Sequence, residues 1–330
     1  MTFIRTEMHI LNRDKERQRN DKAIKACRLC PRECGADRQA GKTGVCGVDA
    51  EIYIARAALH MWEEPCISGA QGSGTVFFSG CPLRCIYCQN AEIADAAIGK
   101  RITVERLAEI FQELVGKGAA NINLVTPTHY TEEIIQAVRL ARNRGLQVPV
   151  VYNCSGYEKV ETLQKLEGIV DIYLTDFKYM NTELAAEYSH APDYPAVAKA
   201  ALQEMVRQQS IPVFDGQGMM KRGIIVRHLL LPGAVRQAKE ILEYVYHTYG
   251  NQIYISIMNQ YTPLARVDGH PKLGRHVTGR EYDRLVDYAI ELGIEQAFIQ
   301  EGGTSTESFI PAFDYEGVEK GRTGRDLSHG

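Results

Sequence analysis

The sequence predicts an α/β fold, a barrel or incomplete barrel of repeated strand–helix units, on three observations. Apolar strand-like runs at 75–79, 121–126, 148–153, 169–176, 222–231 and 252–258 alternate with segments of helical period. The runs are rich in Val, Ile, Leu and Tyr on consecutive positions, as in strands buried on both faces of a parallel sheet. A further run at 296–300 follows the last helical segment.

Each helical segment has its own signal. Val104, Leu107, Ala108, Phe111, Leu114 and Val115 recur at helical spacing, and Gly116 or Gly118 can end that helix. A second helix begins near Thr131, where Glu132 and Glu133 suit the positive N-terminus. Val235, Ala238, Ile241, Leu242 and Val245 share one face of 234–249. Thr278 and Glu281 form a T-x-x-E capping box before Leu285, Val286, Ala289 and Ile290. The expected organisation is a polar leader at 1–26, a cysteine-rich metal-binding module at 27–70, the barrel at 71–312 and a mobile tail at 313–330, rich in charge and glycine from Tyr315. Ligands of such a barrel gather at the C-terminal ends of its strands.

Composition narrows the function. The 330 residues allow one large core with an appendage. A net charge of −3 lacks the clustered Lys and Arg that broad nucleic-acid binding requires. No apolar stretch is long enough to span a bilayer, and no secretory signal is visible. Most of the nine cysteines lie in C-x2-C or C-x3-C groups, which suits reduced, metal-binding thiolates and a cytoplasmic enzyme.

Cys81, Cys85 and Cys88 sit in Ser79-Gly80-Cys81-Pro82-Leu83-Arg84-Cys85-Ile86-Tyr87-Cys88-Gln89-Asn90, directly after the first strand run. Three thiolates spaced C-x3-C-x2-C can hold three irons of a [4Fe-4S] cube and leave the fourth open to a small molecule. The spacing alone serves equally for a zinc site completed by a distant Cys or His. Cys27, Cys30, Cys34 and Cys46 form a second group, C-x2-C-x3-C-x11-C, sufficient for tetrahedral zinc or a second iron–sulfur cluster. It is either a staple for a Gly-rich module of little apolar content or an auxiliary cluster that relays electrons or contacts substrate. Ala36–Thr43 satisfies the loosest phosphate-loop pattern, but no strand precedes it and no helix opens at Lys42. It is expected as a turn inside the cysteine module, and nucleotide hydrolysis is rejected.

With Tyr87 ahead of the third cysteine and Thr75-Val76-Phe77-Phe78 leading into the loop, this segment resembles the radical S-adenosylmethionine (SAM) enzymes. The resemblance implies the open (β/α)6 partial TIM-type barrel, a [4Fe-4S] cluster on Cys81, Cys85 and Cys88, and SAM chelating the open iron. It implies cleavage of SAM to methionine and a 5′-deoxyadenosyl radical that abstracts hydrogen. Flavodoxin or ferredoxin is the implied electron donor, and no catalytic side chain is needed beyond the cluster.

Cys-Arg-Leu-Cys-Pro-Arg-Glu-Cys-Gly at 27–35, Asn123–Tyr130 and Asp176-Phe177-Lys178-Tyr179 resemble, more narrowly, the pyruvate formate-lyase activating enzyme-like proteins with an N-terminal cysteine cluster. The resemblance covers roughly residues 27–312. Glycyl-radical activating enzymes carry a Gly-Gly-Glu segment for the methionine amine at the end of the second strand. This chain lacks it and has Thr126 and Thr128 there. Asn153 stands in an Asn-x-x-Gly-aromatic segment. Asp176 and Lys178 are implied partners of the methionine zwitterion or the ribose, Arg227 of the SAM carboxylate, and Gln260 of cofactor or substrate, while His228 points the other way. The implied function is activation of a glycyl-radical enzyme at a glycine Cα–H. A radical SAM enzyme acting on a small metabolite, another protein or RNA is the alternative, and a non-enzymatic iron–sulfur electron carrier a third class. Trp62, the only tryptophan, is expected either to line a peptide-admitting mouth or to pack the N-terminal module on the barrel.

Overall fold

Consecutive β-branched and aromatic residues leave a strand no solvent face, and each apolar run forms a sheet strand in the computed structural model, whose described residues are 26–300 and 311–320. The strands are β1 (Ile52–His60), β2 (Ser73–Phe78), β3 (Lys100–Ile102), β4 (Ile122–Val125), β5 (Val150–Cys154), β6 (Ile172–Asp176), β7 (Val213–Phe214), β8 (Met220–Leu229), β9 (Tyr254–Met258) and β10 (Ala297–Ile299). Their order is β10-β9-β8-β6-β5-β4-β2-β1-β3, with β7 paired to β8. From β2 to β10 every path neighbour is parallel, and each new strand adds at the same edge. Winding in one direction puts the crossovers on one face, so the sheet curls into an arc. Among the described residues β10 and β3 remain its two ends, and the barrel is open.

The expected helices cover the outer face. Val104–Gly116, capped by Thr103 Oγ1 accepting from Arg106 N at 3.2 Å, packs on Thr131–Asn143. Val235–Tyr249 packs on Gly279–Glu291, which opens with the Thr278–Glu281 capping box. Two further helices, Thr182–Ser189 and Tyr194–Gln208, lie between β6 and β7.

Strand alternation divides the buried side chains into two sets. Val76, Leu124, Tyr152, Tyr173, Val226 and Ile257 pack with the helices. Val151, Ile172, Leu174 and Ile225 cluster instead with Cys66 and Ile67. The segment before β2 therefore enters the barrel, where Asn121 Nδ2 donates to Ile67 O at 2.7 Å and closes the N-terminal end of the arc.

Two boundaries differ from expectation. β1 lies within 27–70 yet pairs antiparallel with β2 and β3, so that stretch contributes sheet as well as cysteines. The tail's described part is docked, not mobile. Tyr315 N donates to Ala55 O at 3.0 Å, Ala57 N to Glu316 O at 2.8 Å, and Val318 is buried. Backbone pairing along β1 and the Phe313–Phe77 ring contact at 5.6 Å hold it. The leader (apart from Ala26) and 321–330 lie outside the described residues. Among the described residues no helix is long and apolar enough to cross a membrane.

Candidate functional site

β2 delivers the three-cysteine loop to the C-terminal end of the barrel, and neighbouring backbone fixes the loop's path. Gly80 has φ +87°, and a Cβ there would lie 2.7 Å from Cys46 O, so the turn needs glycine. Cys81 N donates to Cys46 O at 3.2 Å, and Ile86 N to Tyr188 O at 2.9 Å. Arg32 donates to Pro82 O at 2.8 Å, Ser189 O at 2.9 Å and His190 O. Ser189 Oγ donates to Cys85 Sγ at 3.0 Å and shares a 2.7 Å hydrogen bond with Tyr179, whose hydroxyl meets that of Tyr87 at 2.8 Å.

The donor set suits a cationic cluster. All nine cysteines are free thiols. Burial, and then the neighbouring Cys85, push the Cys81 thiol up to about 11; burial, Cys85 and Cys81 push Cys88 up to about 12. Metal charge reverses this, since a coordinating thiol is deprotonated outright. Among the described residues no three His, Cys, Asp or Glu side chains converge to hold a single metal ion.

Of the second group, Cys27, Cys30 and Cys46 are buried and Cys34 is exposed. A Cβ on Gly44 would lie 2.8 Å from Cys34 Sγ and 3.7 Å from Cys46 Sγ, so the missing side chain leaves room for both sulfurs. The segment with the phosphate-loop pattern is a short turn, Arg38–Ala40, ending at Gly41. Its Arg38 is buried and donates to Asp49 O and His129 O, each at 2.8 Å.

The later strand ends bring four of the expected residues into one charged chain. Lys178 Nζ meets Asp176 Oδ2 at 2.6 Å, and Arg227 Nε meets Asp176 Oδ1 at 3.2 Å. Arg227 Nη2 donates to Asn153 Oδ1 at 2.6 Å. Burial pushes the Asp176 carboxyl up, but Lys178 and Arg227 more than offset it and hold the carboxyl below its usual range. Thr126, directly after β4, has φ +58°, a left-handed backbone that is a genuine outlier for a β-branched residue. Gln260 O accepts from Gln89 Nε2 of the cysteine loop at 2.6 Å. His228 is buried and its Nδ1 bonds Phe177 O at 2.8 Å, away from this chain.

Thr128 does not join them. It is 1% exposed, and its hydroxyl donates to Glu158 Oε1 at 2.7 Å, so the hydroxyl expected to accept from the methionine amine is turned into the core. Trp62 is 63% exposed, so most of its surface is not buried between the N-terminal module and the barrel.

Sequence reasoning missed the residues beside Trp62. Glu63 Oε2 pairs with Arg227 Nη1 at 3.2 Å, and Glu63 Oε1 accepts from Asn123 Nδ2 at 2.8 Å. Glu64 is buried next to them, near Ser256 and Arg227, and burial pushes its carboxyl up. The available signal was Glu-Glu-Pro-Cys ahead of the first parallel strand: two charges and a helix-opening proline in an apolar setting.

Comparison with known proteins finds relatives among both sequences and solved structures. An uncharacterized protein of Methanocaldococcus jannaschii is 27% identical over 283 residues, 82% of this chain and 76% of that one. A pyruvate formate-lyase-activating enzyme of Clostridium pasteurianum is 27% identical over 117 residues, 33% of this chain and 46% of that one. Among solved structures, methylornithine synthase aligns with a TM-score of 0.48 at 13% identity, over 83% of this chain and 78% of that one. Streptococcus suis SuiB bound to S-adenosylmethionine aligns with a TM-score of 0.45 at 15% identity, over 68% of this chain and 49% of that one, so the chain spans about half of SuiB's length. The Radical SAM superfamily profile matches residues 75–245, more than half of the 330 residues, and the chain belongs to the radical SAM superfamily.

Proposed function

We propose that the protein is a radical SAM enzyme resembling the activating enzymes of glycyl-radical enzymes, with a [4Fe-4S] cluster on Cys81, Cys85 and Cys88. The observation that carries this reading is the C-x3-C-x2-C loop at the C-terminal end of the first parallel strand of an open barrel. When bound, the cluster and SAM supply a 5′-deoxyadenosyl radical for hydrogen abstraction. The protein's own groups position and insulate. Ser189, oriented by Tyr179, donates to Cys85 Sγ and fixes that sulfur's direction. Buried Tyr87, Tyr179 and Tyr188 keep water from the loop. Asp176 and Lys178 offer an acceptor and a donor to the methionine zwitterion, with Asn153, Thr126 and Gln260 as further polar contacts; Arg227 holds Asp176 in place. Cys27, Cys30, Cys34 and Cys46 bind a second metal centre, iron–sulfur or zinc, and flavodoxin or ferredoxin supplies the electron.

Anaerobically reconstituted protein with dithionite and SAM is expected to yield methionine and 5′-deoxyadenosine. Retention of that cleavage by Cys85→Ala overturns the reading. Iron, sulfide and zinc analysis of the same preparation distinguishes a second cluster from zinc.

A second reading, action on a small metabolite, is favoured by the closed, charged floor that Glu63 and Glu64 give the barrel, which suits a compact polar substrate better than a peptide loop. A glycyl doublet in electron paramagnetic resonance with a glycyl-radical partner selects the first reading. Deuterium transfer from a small molecule into 5′-deoxyadenosine selects the second.

A further inference from the structure

The barrel floor holds more acceptors than the protein supplies donors. Glu63, Glu64 and Asp176 bring three carboxylates into the interior, and the cations linked to them there are Arg227 and Lys178. Arg227 is committed to Glu63, Asp176 and Asn153, and Lys178 to Asp176. Glu64 is 7% exposed, and its Oε2 has no hydrogen-bond partner. Asn123 is fully buried, and its Oδ1 has none either. Turning the Asn123 amide over does not help, because its nitrogen is the group that donates to Glu63 Oε1 at 2.8 Å. Two orphaned acceptors thus border Glu63, where three carboxyl groups share two cations and burial pushes the Glu63 and Glu64 carboxyls up. Burying such groups without a donor is costly.

We propose that Glu64 and Asn123, backed by Glu63, form a recognition site for a primary ammonium group of the substrate. An ammonium carries three donors and one positive charge, so it offers donors to both orphaned acceptors and favours the ionised form of the carboxyls that burial pushes up. Glu63, held by Arg227 and Asn123, fixes the negative wall against which the cation rests. Asp176 and Lys178 belong to the layer nearer the cysteine loop, which separates this site from the cofactor's. The inference rests on the radical-enzyme reading in its small-substrate form and names the class of that substrate: an amine.

The test uses reconstituted holoenzyme and calorimetric titration with n-butylammonium, with n-butanol and butyrate as shape-matched controls. Saturable butylammonium binding is expected, at least ten-fold weaker in Glu64→Gln and unchanged in the surface variant Glu161→Gln, with no binding of butyrate. Should Glu64→Gln not fold, Glu64→Asp keeps the charge, withdraws it by one methylene and is expected to weaken binding in the same direction. Absence of saturable butylammonium binding, equal binding of butanol, or binding indifferent to the Glu64 change overturns the proposal. SAM titrated alongside identifies the source of the amine: a ten-fold loss of SAM affinity in the variant assigns the acceptors to the cofactor and overturns the substrate assignment. SAM cleavage without butylammonium binding removes this inference alone. Butylammonium binding without SAM cleavage removes the enzyme reading and leaves the cation site.

Discussion

The amide of Cys81 donates to the carbonyl of Cys46 at 3.2 Å, so the two cysteine groups share a backbone hydrogen bond. Arg32, between Cys30 and Cys34, reinforces the junction by donating to Pro82 O inside the cysteine loop and to Ser189 O at the end of the helix beside it. The N-terminal module is thus a brace for the loop. Arg32→Ala removes several charge-assisted hydrogen bonds and leaves carbonyls unpaired. It is expected to cost about 3 kcal/mol in urea unfolding. Iron retention at the three-cysteine loop should fall with it; full iron content in a destabilised variant separates the brace from the metal site.

How much of this was legible in the sequence follows from what each element is made of. The parallel strands were visible because strands buried on both faces must be apolar on consecutive positions, as β5 and β8 are. β1 was not, since Ala55, Ala57 and Ala58 carry little hydrophobic signal and its partner, β2, follows it in sequence. The helices Thr182–Ser189 and Tyr194–Gln208 are alanine-rich and lack a sharp apolar face. Asp176, Lys178, Arg227 and Asn153 were legible as polar residues ending buried strands. Glu63 and Glu64 were not, because a loop gives no periodicity to say which way a side chain points.

Glu158 sets a pH dependence. Burial pushes its carboxyl up to about 8, with Thr128, Tyr152 and Cys154 pulling it back only partly. Its folded value lies above the ordinary 4.5, so the folded state binds a proton that the unfolded state has lost. Stability from this group is fully present below pH 4.5 and falls toward pH 8, by up to about 1.4 kcal/mol per pH unit. Burial depresses His129 to about 3, so its contribution runs the other way and is lost as pH falls below 6.5. Glu158→Gln should flatten the decline between pH 6.5 and 8 and leave the acid limb in place. Parallel wild-type and variant unfolding curves over that range contradict the assignment.

Thr126 holds left-handed backbone directly after β4, while its amide donates to Asn153 O at 2.9 Å. Such strain costs on the order of 1–3 kcal/mol and is characteristic of ligand clamps. Thr126→Gly relieves it and adds chain entropy to the unfolded state, so stability should hold or rise by up to about 1 kcal/mol. SAM affinity, by contrast, should fall as the hydroxyl is lost. A glycine variant that binds SAM as the wild type does assigns the strain to the turn alone.

Arg227 joins the two ends of the interior, with Asp176 above it and Glu63 below, each at 3.2 Å. Burial disfavours its charge, yet Asp176, Glu64 and Glu63 raise its proton affinity, so it stays cationic. Arg227→Leu leaves Glu63 without its ion-pair partner and Asp176 with Lys178 alone, a loss of about 3–5 kcal/mol. Replacing both partners removes the stranded charge instead of exposing it, so Arg227→Leu with Glu63→Leu should recover part of that loss. SAM affinity should not recover in the double variant, because Asp176 still lacks the guanidinium that orients it. Unfolding free energies and SAM dissociation constants across the four proteins of the cycle check both halves. Recovery of stability and SAM binding together would show that Arg227 serves only to neutralise Glu63.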